Sequence, residues 1–306
     1  MGKIAFVYPG QGAQYPGMGL NLNERDLFAR FTFNQMDQVR PGTSDQCFYG
    51  DMETLTQTVN TQPCIFAVEL SGTNALLSRG IVPDMVAGFS LGEVAALTVS
   101  GAVDVPTGLS MVTERAKLMQ AASEQVDSAM IAVMKLDAAK VAELCTAHPE
   151  TYPVNYNCPG QTVVAGKKDQ LGALKADIKS AGGRVMPLRV SGGFHSPFMT
   201  EAAEQFGTYL QGVNFGDFKM PLYSNYTAQP YDGDVRNLLQ QQICNPIQWQ
   251  TLGENMIAAG TTTFIEVGPG NVLSGLIRRI DKSVHTYHVE DWESLDQTVN
   301  EVTAHV

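Results

Sequence analysis

Gly88-Phe89-Ser90-Leu91-Gly92 places one serine between two glycines at the spacing G-x-S-x-G. Val86-Ala87 before it reads as the end of a buried strand, and Glu93-Val94-Ala95-Ala96-Leu97 after it reads as the start of a helix. A serine on a tight strand-to-helix turn is pushed out into a cleft, and the glycines remove side chains that would clash in such a turn. Backbone N–H groups at the helix start can hold a developing oxyanion. The chemistry of such a serine is nucleophilic acyl transfer. Read alone, the same five residues also fit a Gly-rich turn whose serine caps a helix.

A nucleophilic serine needs a base, and the chain has five histidines: His148, His195, His285, His288 and His305. Among them His195, in Ser191-Gly192-Gly193-Phe194-His195-Ser196-Pro197-Phe198, occupies a Gly-rich turn leaving an expected strand. A side chain there can project into a cleft, although a lone histidine is as often a satisfied core or surface residue. No aspartate falls in a loop just before His195, and Asp127, Asp137, Asp169 and Asp177 read as surface residues. The group that orients the imidazole therefore need not be an acid. Arg115, in an expected helix, can grip a substrate carboxylate through two parallel hydrogen bonds. The plainer alternative is a surface arginine paired with Glu114 or Asp104.

The elements around these residues alternate. Lys3–Tyr8 reads as a buried strand that runs into Pro9-Gly10-Gln11-Gly12-Ala13-Gln14, residues 62–79 as a helix closed by Gly80, 85–87 as a strand and 105–122 as a helix. This order predicts a parallel α/β sheet. The pattern then changes: strand 129–136, helix 138–147, strands 154–157 and 162–165, helix 170–181 and strand 184–190. Strand–helix–strand–strand–helix–strand is the split βαβ order of a ferredoxin-like unit. The expected fold is thus α/β, with a small ferredoxin-like domain at 128–190 inserted into a large α/β-hydrolase-like domain formed by 1–127 and 191–306. Residues 221–225 and 264–267 are further strand candidates.

Composition narrows the function. The chain of 306 residues is 44% hydrophobic and 17% charged, which suits a globular core. No run of about 18 apolar residues is present, so no membrane span is expected, and the first residues read as a strand instead of a signal peptide. The net charge of −11 argues against nucleic acid and anionic membranes as partners. The five cysteines are scattered without C-x-x-C, which points to a reducing cytoplasm and to no structural metal.

Eight segments in order resemble one family. They are Pro9-Gly10-Gln11-Gly12-Ala13-Gln14, Thr61-Gln62-Pro63, Gly88-Phe89-Ser90-Leu91-Gly92-Glu93, Arg115-Ala116-Lys117-Leu118-Met119-Gln120, Asn155-Tyr156-Asn157-Cys158-Pro159-Gly160-Gln161, Phe194-His195-Ser196-Pro197, Asn245-Pro246-Ile247-Gln248-Trp249 and Glu266-Val267-Gly268-Pro269-Gly270. Over essentially its whole length the chain resembles the malonyl-CoA:acyl carrier protein transacylases of bacterial fatty-acid synthesis. The resemblance implies that Ser90 accepts the acyl group, that His195 is its base, and that a carbonyl oxygen of Gln242 orients the imidazole. It implies an oxyanion hole from the N–H groups of Gln11 and Leu91, and Arg115 as the partner of the malonyl carboxylate. Gln62 and Phe194 would line the acyl site, with a phenylalanine before the histidine resembling the malonyl-selecting type.

The implied partners are malonyl-CoA and a phosphopantetheinylated acyl carrier protein, both as substrates. No cofactor or metal is implied, and the enzyme is expected to be a cytoplasmic monomer. One departure stands out: the family usually carries histidine where this chain has Phe89. Two other readings remain: a discrete malonyl acyltransferase serving a polyketide synthase, with the same chemistry, and a thioester hydrolase on the same fold, against which the retention of Arg115 speaks. A non-catalytic carrier-protein-binding module is a third reading, against which the retention of Ser90, His195 and Gln242 together speaks.

Overall fold

The computed structural model of the chain describes residues 2–188 and 190–305, with His305 described by its backbone alone. Among these residues nine strands form two sheets. In chain order they are β1 (Lys3–Tyr8), β2 (Met85–Gly88), β3 (Ser128–Met134), β4 (Thr151–Cys158), β5 (Gln161–Lys167), β6 (Arg184–Pro187), β7 (Leu222–Tyr223), β8 (Thr261–Val267) and β9 (His285–Val289).

The first sheet runs β7-β2-β1-β8-β9, and every pairing in it is parallel. A parallel sheet is covered on both faces, so its central strands are apolar throughout. Alternate residues face opposite layers. Phe6, Tyr8, Val86 and Ile265 pack with the helices Thr58–Leu77 and Val105–Gln125, while Ala5, Val7, Ala87 and Phe264 pack with the helices Trp249–Ala258 and Val272–Ile280.

The second sheet runs β4-β5-β3-β6 with antiparallel pairings. The helices Ala138–Thr146 and Lys168–Ser180 cover one face, where Val141, Cys145, Leu171, Leu174 and Ile178 meet Ile131, Val133 and Val164. This is the ferredoxin-like strand order. Its β4 edge is stitched to the large sheet's side of the molecule: the Ile247 N–H donates to Val154 O at 2.8 Å and the Tyr156 N–H to Ile247 O at 2.9 Å. The two sheets thereby flank a cleft. No helix among the described residues is long and apolar enough to cross a membrane.

Several element bounds differ from the expected ones. The helix expected at 62–79 runs Thr58–Leu77. Proline suits a first helical turn, yet here one more turn precedes Pro63, held by Thr61 Oγ1 donating to Gln57 O at 2.9 Å. The strand expected at 184–190 ends at Pro187, and Arg189 of that stretch lies outside the described residues. The strand expected at 221–225 is only Leu222–Tyr223, because the Ser224 N–H turns back to Gln229 O at 2.9 Å. β9 was not expected; it is an edge strand whose residues before Val289 are partly exposed, which blurs the apolar pattern.

Candidate active site

Ser90 lies two residues past the end of β2 and has φ of 56°. A side chain in this left-handed region is strained, and such strain is commonest where function requires it. Here the close packing of the turn imposes it. A Cβ on Gly92 would stand 2.3 Å from Tyr8 O, and one on Gly88 only 1.8 Å from Gly92 C, so both glycines are obligatory. The Phe89 N–H donates to Tyr8 O at 2.8 Å, tying the turn to the end of β1. The loop after β1 packs on the same turn: a Cβ on Gly10 would meet Phe89 O at 2.7 Å. That contact brings Gln11 beside Ser90, and Leu91, fully buried, opens the helix Gly92–Val99 behind it.

His195 also has a positive φ, 59°, and is 3% exposed. Its Nε2 lies 2.8 Å from Ser90 Oγ, and its Nδ1 lies 2.9 Å from the main-chain oxygen of Gln242. A carbonyl oxygen only accepts, so Nδ1 carries the proton and Nε2 is left free to accept from the serine hydroxyl. Burial, then the neighbouring Arg115 charge, push the imidazole pKa down to about 3, against the raising effect of the Gln242 bond. The ring is thus a neutral base at physiological pH.

Arg115 is 1% exposed, so it is neither a surface residue nor paired with Glu114 or Asp104; Asp104 instead caps the N-terminus of the helix Val105–Gln125, at 2.8 Å from the Thr107 N–H. Its Nη1 donates to Gln62 Oε1 at 2.8 Å, and its Nη2 donates to Gln242 Oε1 at 2.7 Å and to Ser90 Oγ at 3.1 Å. Burial lowers its pKa to about 10, partly restored by Glu93, so it stays a cation. A buried guanidinium whose fork reaches the nucleophile has the chemistry to pair with a carboxylate there.

All eight residues singled out from the sequence meet in one place: Ser90, His195, Gln242, Gln11, Leu91, Arg115, Gln62 and Phe194. Phe194 lines the cleft over Ser90 with Gln11, Phe89, Met130, Asn155, Leu188 and Val190. Phe89 packs edge-on against Trp249, with ring centroids 5.4 Å apart. In this neighbourhood Trp249 Nε1 and Asn155 Oδ1 are buried without a hydrogen-bond partner.

Sequence reasoning missed three contributors. Asn225 accepts the Ser90 N–H at 2.7 Å and donates to Gly88 O at 2.5 Å, clamping the turn from β7. Its signal was a polar residue just past the carboxyl end of a parallel strand, where such sheets place their sites. Glu93 and Tyr231 are bonded to each other at 2.5 Å beneath the site. Glu93 resembles an ordinary acidic residue in a first helical turn, and nothing local marks Tyr231. No group of three or more His, Cys, Asp or Glu among the described residues is placed to hold a metal ion.

A serine on a strand-to-helix turn, a neutral imidazole on its hydroxyl and a buried guanidinium beside it, set on a parallel sheet next to a ferredoxin-like unit, define a serine acyltransferase. The chain belongs to the acyl transferase domain family, whose profile matches residues 5–298. It is similar to the malonyl CoA-acyl carrier protein transacylase of Bacillus subtilis (strain 168), 35% identical over 98% of this chain and 97% of that one. A polyketide biosynthesis malonyl CoA-acyl carrier protein transacylase of Bacillus velezensis is 37% identical over 90% of this chain and 96% of its own length. The crystal structure of the malonyl CoA-acyl carrier protein transacylase from Clostridium perfringens matches with a TM-score of 0.94 at 32% identity, covering 99% of this chain and 98% of that one. A malonyl-transacylase in complex with a type II polyketide synthase acyl-carrier protein matches equally, with a TM-score of 0.94 at 31% identity over 98% of this chain and 99% of that one.

Proposed function

We propose that this enzyme moves the malonyl group from malonyl-CoA to the phosphopantetheine thiol of an acyl carrier protein through an acyl-Ser90 intermediate. The observation that carries the reading is Arg115, buried and within 3.1 Å of Ser90 Oγ. His195 Nε2 takes the hydroxyl proton as Ser90 Oγ attacks the thioester carbonyl. The tetrahedral oxyanion is held by the N–H groups of Gln11 and Leu91. The C–S bond breaks, and His195 returns the proton to the departing coenzyme A thiolate. The carrier-protein thiol then reverses these steps. A thioester is exchanged for an ester and the ester for a thioester, so the reaction needs no redox cofactor or metal.

Arg115 exchanges its contact with Ser90 for the free carboxylate of the acyl group. An acyl group without a carboxylate leaves this buried cation with unmet hydrogen bonds, and selectivity for malonyl follows. The enzyme is read as a cytoplasmic monomer, and its five free cysteines suit a reducing compartment. The chemistry at Ser90 is the same for a carrier protein of fatty-acid or of polyketide synthesis.

Intact-protein mass after brief incubation with malonyl-CoA or acetyl-CoA tests this. We expect a malonyl adduct on the wild type, none on Ser90→Ala, little acetyl adduct, and discharge of the malonyl group on adding carrier protein. No adduct with steady release of coenzyme A makes the protein a thioester hydrolase and overturns the proposal. No adduct and no release overturns it in favour of a binding module.

A further inference from the structure

Glu93 is 0% exposed, and the acyl-transfer steps do not use it. Its carboxylate nevertheless joins the parts that do the chemistry. Oε2 accepts from Gln242 Nε2 at 2.9 Å and from the Asn225 N–H at 3.2 Å, and Oε1 accepts from Tyr231 Oη at 2.5 Å. Three donors converge on one acceptor group, and the ionised carboxylate holds them through charge-assisted hydrogen bonds, roughly twice as strong as neutral ones.

The Gln242 carboxamide is held at both ends. Its Nε2 donates to Glu93 and, at 2.6 Å, to Ser90 O, so its Oε1 must face Arg115 Nη2, 2.7 Å away. A flipped amide would set an NH2 group against the guanidinium, donor against donor. The bond from Gln242 to His195 is different, because it uses the main-chain oxygen. One residue thus serves the base with its backbone and the carboxylate clamp with its side chain, and only the side chain is governed by Glu93.

We propose that Glu93 is a positioning residue for acyl selection, whose carboxylate locks the Gln242 carboxamide so that Arg115 is aimed at the acyl carboxylate beside Ser90. This rests on the malonyl-transfer reading above. The titratable groups acting on Glu93 are Tyr231, through its hydrogen bond, and Arg115, through its charge. Burial holds the Glu93 carboxyl up at about 7, against those two groups and the bonds from Gln242 and Asn225. As pH falls through that value Glu93 gains a proton, its bond from Gln242 Nε2 loses its charge assistance, and the lock loosens.

The test is single-turnover acylation of Ser90 by malonyl-CoA and by acetyl-CoA across pH 6 to 8.5. The ratio of the two rates cancels any pH effect on the steps at Ser90 and His195 that both reactions share. In the wild type the malonyl-to-acetyl ratio should fall as pH drops below about 7. In Glu93→Gln the amide oxygen can still accept from Gln242 and Asn225 while its NH2 faces the Tyr231 hydroxyl, but these bonds lose their charge assistance, so the ratio should be lower by roughly tenfold at high pH and flat with pH, with acetyl acylation within about threefold of wild type. Tyr231→Phe removes one bond that favours ionised Glu93 and leaves Gln242 in place. It should move the pH midpoint of the ratio upward, which keeps the idea testable if Glu93→Gln does not fold. A wild-type ratio and pH dependence in Glu93→Gln, equal loss of both acylations, or an unmoved midpoint in Tyr231→Phe overturns the inference. Absence of any malonyl adduct on the wild type overturns the proposed function as well, and so marks that failure apart.

Discussion

The main-chain oxygen of Gln242 stands 2.9 Å from His195 Nδ1, at the place where serine–histidine pairs usually present a carboxylate. A neutral carbonyl fixes the tautomer as well as an acid does but adds no negative charge. The Arg115 cation on the same site then pushes the imidazole further toward its neutral form. A thiolate is a good leaving group and asks less of the protonated base than an amine does. The weaker third partner therefore suits exchange between thioesters.

This arrangement carries a stability signature. The His195 pKa in the folded protein is about 3, below the unfolded value of 6.5. Between those values the unfolded chain binds more protons, so the contribution to stability is complete above pH 6.5 and is lost as pH falls toward 3. The loss approaches about 1.4 kcal/mol per pH unit. His195→Gln removes the titration. Urea unfolding should show the variant gaining about 2 kcal/mol on the wild type between pH 7.5 and 5; a constant gap would sink the assignment of a buried, neutral imidazole.

Arg115→Ala should cut malonyl transfer by about 100-fold or more while acetyl transfer changes by less than tenfold, because only the malonyl group loses a charge-assisted pair. The variant also orphans Gln62 Oε1 and Gln242 Oε1, so its unfolding free energy should drop by about 2–4 kcal/mol. Steady-state rates with both donors decide it: an equal fall in both makes Arg115 purely structural.

Glu69 is fully buried beside Gly268, and neither carboxylate oxygen has a hydrogen-bond partner. Burial raises its pKa well above the ordinary value. The raised value means that the folded state favours the protonated form, so stability is greatest below the unfolded pKa and falls as pH rises. Glu69→Gln keeps the shape and cannot ionise. Its melting temperature should exceed that of the wild type at pH 8 and approach it at pH 5; a gain that does not grow with pH contradicts this.

The carrier protein must dock on a chain of net charge −11, through local basic residues. Lys117, Lys167 and Lys168 are already engaged by Glu114, Glu150 and Asp127. Arg279 bonds Gln161 and Pro159 O. Lys175, Lys179, Arg184, Arg278 and Lys282 remain as candidates. Paired reversals such as Lys175→Glu with Lys179→Glu should raise KM for carrier protein several-fold and leave KM for malonyl-CoA unchanged. Identical values for both substrates would remove this surface from consideration.

The nucleophile turn was legible in the chain because its determinants are local: two glycines, a strand before and a helix after. The split order of the inserted unit was legible for the same reason, and the Gly-rich turn marked His195. Residues 20–56 were not, since Leu27, Phe28 and Phe31 are exposed and disguise the apolar stripe of the helix Leu27–Val39. The lock on the site was hidden more deeply. Asn225, Tyr231 and Gln242 reach Ser90 and Glu93 from more than 130 positions away. Local pattern sets which turn a segment makes and which face it buries. Only packing β7 and the helix Val235–Cys244 against the turn determines that Gln242 turns its backbone to His195 and its side chain to Arg115, because hydrogen bonds of this kind depend on atoms meeting within about 3 Å and not on any spacing along the chain.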